Sequence, residues 1–220
     1  MKNFNSLLST TLALIILFCN PAMAQLDGTN ELLLELQKDW AVANYQLKDK
    51  AQDQAFETLS DKADSTLSQH PGDVNLQIWA GIIKSTYAGI KGGLGALGLA
   101  KAAKKHLEAA MEIDKNALSG SALTSLGTLY NKVPGWPVGF GSSKKAEALL
   151  MQALEVDSDG IDSNYFYADF LIEEKQYSLA KQHLEKALLA EPRAGREVAD
   201  EGRRKDILLA LAKVQKRTGS

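Results

Sequence analysis

The chain has 220 residues, with 25 Lys and Arg against 27 Asp and Glu, and 45% hydrophobic content. That near-neutral balance lacks the basic excess with which proteins hold nucleic acid or an anionic membrane by charge. The one cysteine, Cys19, lies in the N-terminal apolar segment, so no disulfide framework is available to brace the fold.

Residues 1–24 are predicted to be a secretory signal peptide. Lys2 gives a positive start, Leu7–Phe18 is almost uninterruptedly apolar, and Ala22-Met23-Ala24 is a small-x-small cleavage site before Gln25. The apolar run is too short for a permanent span. Lipidation at Cys19 is disfavoured because Phe18 occupies the position where lipidation sites carry a small residue. Cleavage after Ala24 places the mature chain in the periplasm or outside the cell. It leaves 196 of 220 residues, with 24 basic and 27 acidic side chains, enough for one domain with a substantial core. No second apolar stretch approaches the roughly 20 residues of a spanning helix, so the mature protein is not expected to be integral to a membrane.

The remainder reads as helix after helix. Leu33, Leu36, Trp40, Ala43 and Leu47 space as a helical stripe, and Ala55, Leu59, Ala63 and Leu67 form a return helix stopped at Pro71, giving a first pair over about 29–71. A second pair, about 74–117, carries Trp79-Ala80 and Ile83, then Ala103, Leu107 and Ala110. Between its helices lies GIKGGLGALGLAKAA, residues 89–103. Gly93, Gly95 and Gly98 match the dinucleotide-binding spacing, but no strand precedes them, and Lys101 lacks the context of a P-loop. No cofactor is expected, and the stretch is predicted to be a flexible connector or an apolar lip formed by Leu94, Leu97 and Leu99. A third pair, about 119–158, has Leu126-Gly127 and Tyr130 ahead of Ala146, Leu150 and Ala153. Its turn holds Pro134, Trp136, Pro137 and Phe140 among three glycines. Prolines stiffen such a loop and glycines permit its turns. Trp136 and Phe140 either fold back as a small satellite core or present an aromatic contact to a partner; one ring can pack while the other faces out.

The fourth pair, about 161–194, shows Tyr167-Ala168 and Leu171, then Ala180, Leu184 and Ala187, with Pro192 at its close. Residues 103–114, 146–157 and 180–191 align without gaps, each with Ala first, Leu fifth and Ala eighth, and the last two copies start 34 residues apart. Offsets of 4 and 7 share one helix face. A period of this length marks stacked helical hairpins, which bury their apolar faces against one another. A cap helix at about 200–217, with apolar Ile207, Leu208, Leu211 and Val214, ends the array.

On these residues the chain resembles the tetratricopeptide repeat family, and more narrowly exported bacterial members with VPGWPxGFG and DGIDxNYFYADFL stretches. The resemblance implies an all-α solenoid of antiparallel helix pairs with a C-terminal capping helix, working as a non-catalytic scaffold or adaptor for a protein or peptide partner. It also implies a concave face formed by the first helix of each pair. That face is assigned to Gln77, Gly81 and Lys84, to Thr124, Thr128 and Asn131, and to Tyr165, Asp169 and Ile172. The stretch Leu123–Ala153 is similar to the T-component proteins of TRAP-type solute transporters. That similarity implies the alternative of a small-ligand-binding subunit, with an apolar cavity near Trp79, Tyr130 and Trp136.

All five arginines fall after residue 192: Arg193, Arg196, Arg203, Arg204 and Arg217. Planar guanidinium forks suit fixed engagement of carboxylates. They either lock the cap helix onto Asp162, Asp169 or Glu173, or build an anion site at the end of the groove from Arg193, Arg196, Arg203 and Arg204. The histidines, His70, His106 and His183, are spread over different pairs and form no metal site, and no nucleophile-base arrangement marks the chain as an enzyme.

Overall fold

The structure, a computed structural model, describes residues 21–218, and of 21–28 and Leu94 the backbone alone. The expected leader therefore lies outside the described residues up to position 20, Cys19 included. Its last four residues open the first helix. Nine helices and no strand occur among the described residues: α1 (Pro21–Tyr45), α2 (Asp49–Gln69), α3 (Val74–Lys91), α4 (Gly93–Asp114), α5 (Ala117–Lys132), α6 (Ser143–Val156), α7 (Ile161–Glu173), α8 (Tyr177–Leu188) and α9 (Glu197–Thr218). No helix among them is long and apolar enough to cross a membrane.

The Ala-Leu-Ala triplets are the reason for the pairing. Ala103, Leu107, Ala110, Ala146, Leu150, Ala153, Ala180, Leu184 and Ala187 are all 0% exposed. Each second helix lies against its own first helix, α3 on α4, α5 on α6 and α7 on α8. Gly81 and Gly127 set the closest approach. A Cβ on Gly81 would stand 2.6 Å from Leu107 Cγ, and one on Gly127 would stand 2.8 Å from Leu150 Cγ, each also 3.3 Å from the carbonyl of Ala103 or Ala146. Helix starts are fixed locally where the sequence offers a cap: Asp73 accepts from the backbone N–H groups of Asn75 and Leu76, and Ser142 from that of Lys145.

The glycine-rich insertion departs from the expected connector. It is helical, and it lengthens α3 and α4 until Gly92 alone separates them. Gly92 has φ 60° and ψ −176°, a region open essentially to glycine, and together with Gly93, at φ 58°, it reverses the chain. The dinucleotide-like spacing is thus the first two turns of α4.

First helices line up on the inside, α1 beside α3, α3 beside α5 and α5 beside α7, with second helices outside. The cap helix is longer than expected and does more than cover α8, since α9 also packs on α7 and on α1. Ile207 and Val214 are its fully buried apolar residues, whereas Leu208, expected on the packing face, is exposed. The buried Gly202 lies under the ring of Tyr45, to which any Cβ would come within 2.3 Å, and Tyr45 donates to Asp206, 161 positions away. The two ends of the array therefore meet.

Candidate functional site: a concave cavity

The meeting of α1 and α9 converts the concave side of the array into a cavity of about 1160 Å³, walled by α1, α3, α5, α7 and the start of α9, with Ala96, Leu97 and Ala100 at the start of α4 adding an apolar edge. Ser85, Thr86, Ser121, Thr124, Ser125 and Thr128 line its middle with hydroxyls, and Trp40, Trp79 and Phe166 supply aromatic wall. Trp40 and Trp79 meet edge to face at 5.8 Å, and the Trp40 indole N–H donates to Thr86 Oγ1 at 3.0 Å, which holds both rings in place. At the start of α5, Leu118 and Ser119 have φ 47° and 54°. These left-handed conformations cost side-chain-bearing residues about 1–2 kcal/mol each, and both residues line the cavity.

Of the expected groove positions, Thr124 and Thr128 line the cavity; Trp79, expected in an apolar cavity, lines it too, as do Arg193, Arg196 and Arg203 of the expected anion set. Gln77, Gly81 and Lys84 belong elsewhere. Gln77 Nε2 reaches His106 on α4 at 3.3 Å, Gly81 is the α3–α4 contact, and the Lys84 ammonium is buried against Ser60 and Asp64 on α2, at 2.9 and 2.7 Å. The error is a register slip of one residue. Trp79-Ala80 had been matched with Leu126-Gly127, but Gly81 makes the contact that Gly127 makes. Stepping three back, one forward and four forward from each glycine pairs Thr124, Thr128 and Asn131 with Ile78, Ile82 and Ser85. One residue is about 100° of helix rotation, which turns a groove position toward a neighbouring helix. Ile82 and Ser85 do line the cavity, while Ile78 is fully buried.

Tyr165, Asp169 and Asn131 lie outside the cavity lining. Tyr165 stacks under Arg203, and Asp169 takes an ion pair with Lys132 at 2.6 Å that Glu173 shares. The expected apolar cavity near Trp79, Tyr130 and Trp136 has only Trp79 in common with the observed one. Tyr130 is buried and meets Phe140 edge to face at 5.5 Å, with the Lys145 ammonium over its face. Phe140 thus anchors the α5–α6 loop, and Trp136 projects from it, 90% exposed. The loop closes on itself through Gly141 N–H to Pro134 O and Ser142 N–H to Tyr130 O. Its Pro134 and Val138 border the cavity on either side of Trp136.

The arginines divide by role. Arg203 is buried against the rings of Tyr165 and Phe166, 4.3 and 4.6 Å from their centroids, and donates to Asp162 and Asp206 at 2.8 and 3.2 Å. Arg193 bridges Asp162 and Asp200 at 2.7 and 2.6 Å. Burial alone would raise the Asp162 carboxyl; the Arg203 and Arg193 guanidiniums outweigh it and hold that carboxyl well below the usual range. Arg203 is buried but the Asp162 side chain is 33% exposed, so removing one partner costs less than the roughly 3–5 kcal/mol of a fully buried pair. Arg204 donates to the carbonyls of Leu188 and Ala190 and so caps the end of α8. These three arginines fasten the cap helix, through Asp162 as one of the expected acids and with Lys132 holding the other two. Arg196 differs. Its guanidinium lies 4.9 Å from the centre of the Trp79 ring, both line the cavity, and its buried Nε has no hydrogen-bond partner.

Of the expected histidines, His106 faces Gln77 and Asp64, and His183 Nδ1 pairs with Asn164 Oδ1 at 2.9 Å. Burial lowers the pKa of both rings. Neither belongs to a group of three or more His, Cys, Asp or Glu placed to hold a metal among the described residues.

Residues 161–193 match the tetratricopeptide repeat family, which supports assigning α7 and α8 to one such repeat; the preceding pairs pack side by side in a manner consistent with a solenoid of this kind. Curated proteins give no match to this sequence. The sequence missed the hydroxyl row on Ser85, Ser121 and Ser125, Trp40, and the closure by α9. The row was within reach: aligning Gly81 with Gly127 would have placed Ser85 in it.

Proposed function

We propose that the protein is an exported, non-catalytic tetratricopeptide scaffold that holds a peptide or a segment of a protein partner in the cavity enclosed by α1, α3, α5, α7 and α9. The observation that carries this reading is the inner wall itself. Six hydroxyls from two consecutive first helices face a space of about 1160 Å³, beside fixed aromatic rings. Thr86, Ser121, Thr124 and Thr128 donate to carbonyls of their own helices and so offer acceptor oxygens, while Ser85 and Ser125 keep both donor and acceptor for the peptide groups of an extended chain. The volume exceeds the roughly 300–1,000 Å³ typical of small-molecule pockets. Trp136, exposed beside Pro134 and Val138, supplies a second contact at the cavity edge for the partner's continuation, since aromatics on preformed loops are frequent interface anchors.

A photoreactive residue at position 128, inside the cavity, is expected to yield a polypeptide adduct in intact cells, while one at position 147 on the outer face of α6 yields none. Absence of an adduct from position 128 when position 136 gives one would move the binding site to the loop; absence from both would remove the reading. The exported state is checked separately, as a mature N-terminus at Gln25 by mass spectrometry. The alternative, a small-ligand-binding subunit of the T-component kind, is favoured by the closure between α1 and α9. It is selected if a small solute raises the melting temperature while no polypeptide adduct forms.

A further inference from the structure

We propose that Arg196 is the point at which the cavity's occupant docks a carboxylate, with the Trp79 ring as its floor; this rests on the reading of the cavity as a peptide site and specifies which chemical group that site selects. Two independent features point there. The first is position. Arg196 and Trp79 both line the cavity, with the guanidinium centre over the ring and 4.9 Å from its centroid, within reach of the attraction between a cation and an aromatic face. The second is incompleteness. Among the described residues, Arg196 Nε is the one buried side-chain nitrogen or oxygen with no hydrogen-bond partner, and the guanidinium takes part in no ion pair.

The acids that surround it are already engaged. Asp162 accepts from Arg193 through one oxygen and from Arg203 through the other; Asp200 accepts from the Arg193 side chain and backbone; Asp206 accepts from Arg203 and Tyr45. Burial first, and then the neighbouring Arg193, lower the pKa of Arg196; Asp162 and Asp200, both already bonded to other arginines, offset this only in part. A planar carboxylate fits a planar fork with two parallel N–H···O bonds and completes that offset. Of the three arginines that line the cavity, Arg193 and Arg203 are in ion pairs and Arg196 is not, so one negative charge completes the set. A peptide offers this group as its C-terminus or as an Asp or Glu side chain, and a free organic acid offers the same chemistry.

Two measurements separate the inference from the reading beneath it. In the first, the Arg196 Nε–H resonance of the full mature chain, assigned by its loss in Arg196→Gln, is followed while benzoate or benzamide is added. Benzoate is expected to shift it and neutral benzamide to leave it in place. In the second, four random octapeptide pools are passed over immobilised protein: C-terminal acid or amide, each with or without Asp and Glu. Wild-type protein is expected to retain the carboxylate-bearing pools about tenfold or more over the neutral amide pool. Arg196→Gln should lose that preference while still retaining peptide, and Arg196→Lys, which keeps the charge but loses the fork, should recover only part of it. Which acid-bearing pool is retained distinguishes C-terminus from side chain. If benzoate leaves Arg196 unmoved and Arg196→Gln selects the same pools as wild type, the inference is overturned while the peptide site stands. If no pool is retained yet benzoate shifts Arg196, the carboxylate site stands, its occupant is a free organic acid, and the peptide reading falls.

Discussion

The two insertions between paired helices, one expected as a flexible connector or apolar lip and the other as a proline-stiffened loop, came out opposite. Residues 89–103 became two helices meeting at Gly92, whereas the stretch from Val133 to Ser142 stayed a loop. Both contain several glycines; only the second contains proline. Glycine inside a helix costs roughly 1 kcal/mol relative to Ala but keeps its N–H, so packing between α3 and α4 can outweigh it. Proline removes the donor and clashes with the preceding turn, at about 3 kcal/mol. Glycine content therefore measures a cost that tertiary contacts can offset, and proline marks a break that they cannot.

Moving proline into the helical insertion is the strongest way to break that contrast. Gly98→Pro is expected to lose about 3 kcal/mol or more by urea denaturation, and a loss under 1 kcal/mol would show that α4 does not persist through position 98. The glycines with fixed backbone roles come next. Gly141→Ala would put a Cβ 1.8 Å from the Val133 carbonyl oxygen, and Gly92→Ala would force a side chain into the reversal at φ 60°. Each should cost about 1–3 kcal/mol, seen as a lowered denaturation midpoint with an unchanged slope. Gly98→Ala sharpens the comparison through its opposite sign. Nothing lies within 4 Å of the added Cβ, so a gain of about 0.5–1 kcal/mol is expected. Smallest is Trp136→Ala, within about 0.5 kcal/mol of wild type in thermal melts, because the ring is 90% exposed.

The sequence made the outer framework plain and the inner surface only partly so. The Ala-Leu-Ala triplets were readable because burying one helix face repeats the same steric demand in every unit, and all nine residues are 0% exposed. The concave assignment in the second pair failed because Trp79-Ala80 imitates the large-small step that Gly81 actually supplies, and the helix period turns a slip of one into a wrong face. The closure by α9 was not readable at all. Tyr45 and Asp206 are 161 positions apart, and their meeting depends on the accumulated rotation of four stacked pairs, which no local pattern encodes. Arg196 was grouped with Arg193, Arg203 and Arg204 because residue type alone does not tell which guanidinium will find an acid.

Contact between α1 and α9 also changes how the molecule comes apart. In an open array each unit touches only its neighbours, so an end can fray alone and further units can be appended. Here peeling away the last helix also uncovers the first, which ties loss at one terminus to loss at the other. It equally bars growth: a fifth hairpin would push Tyr45 and Gly202 apart, so the circumference, and with it the space inside, is set by the number of pairs.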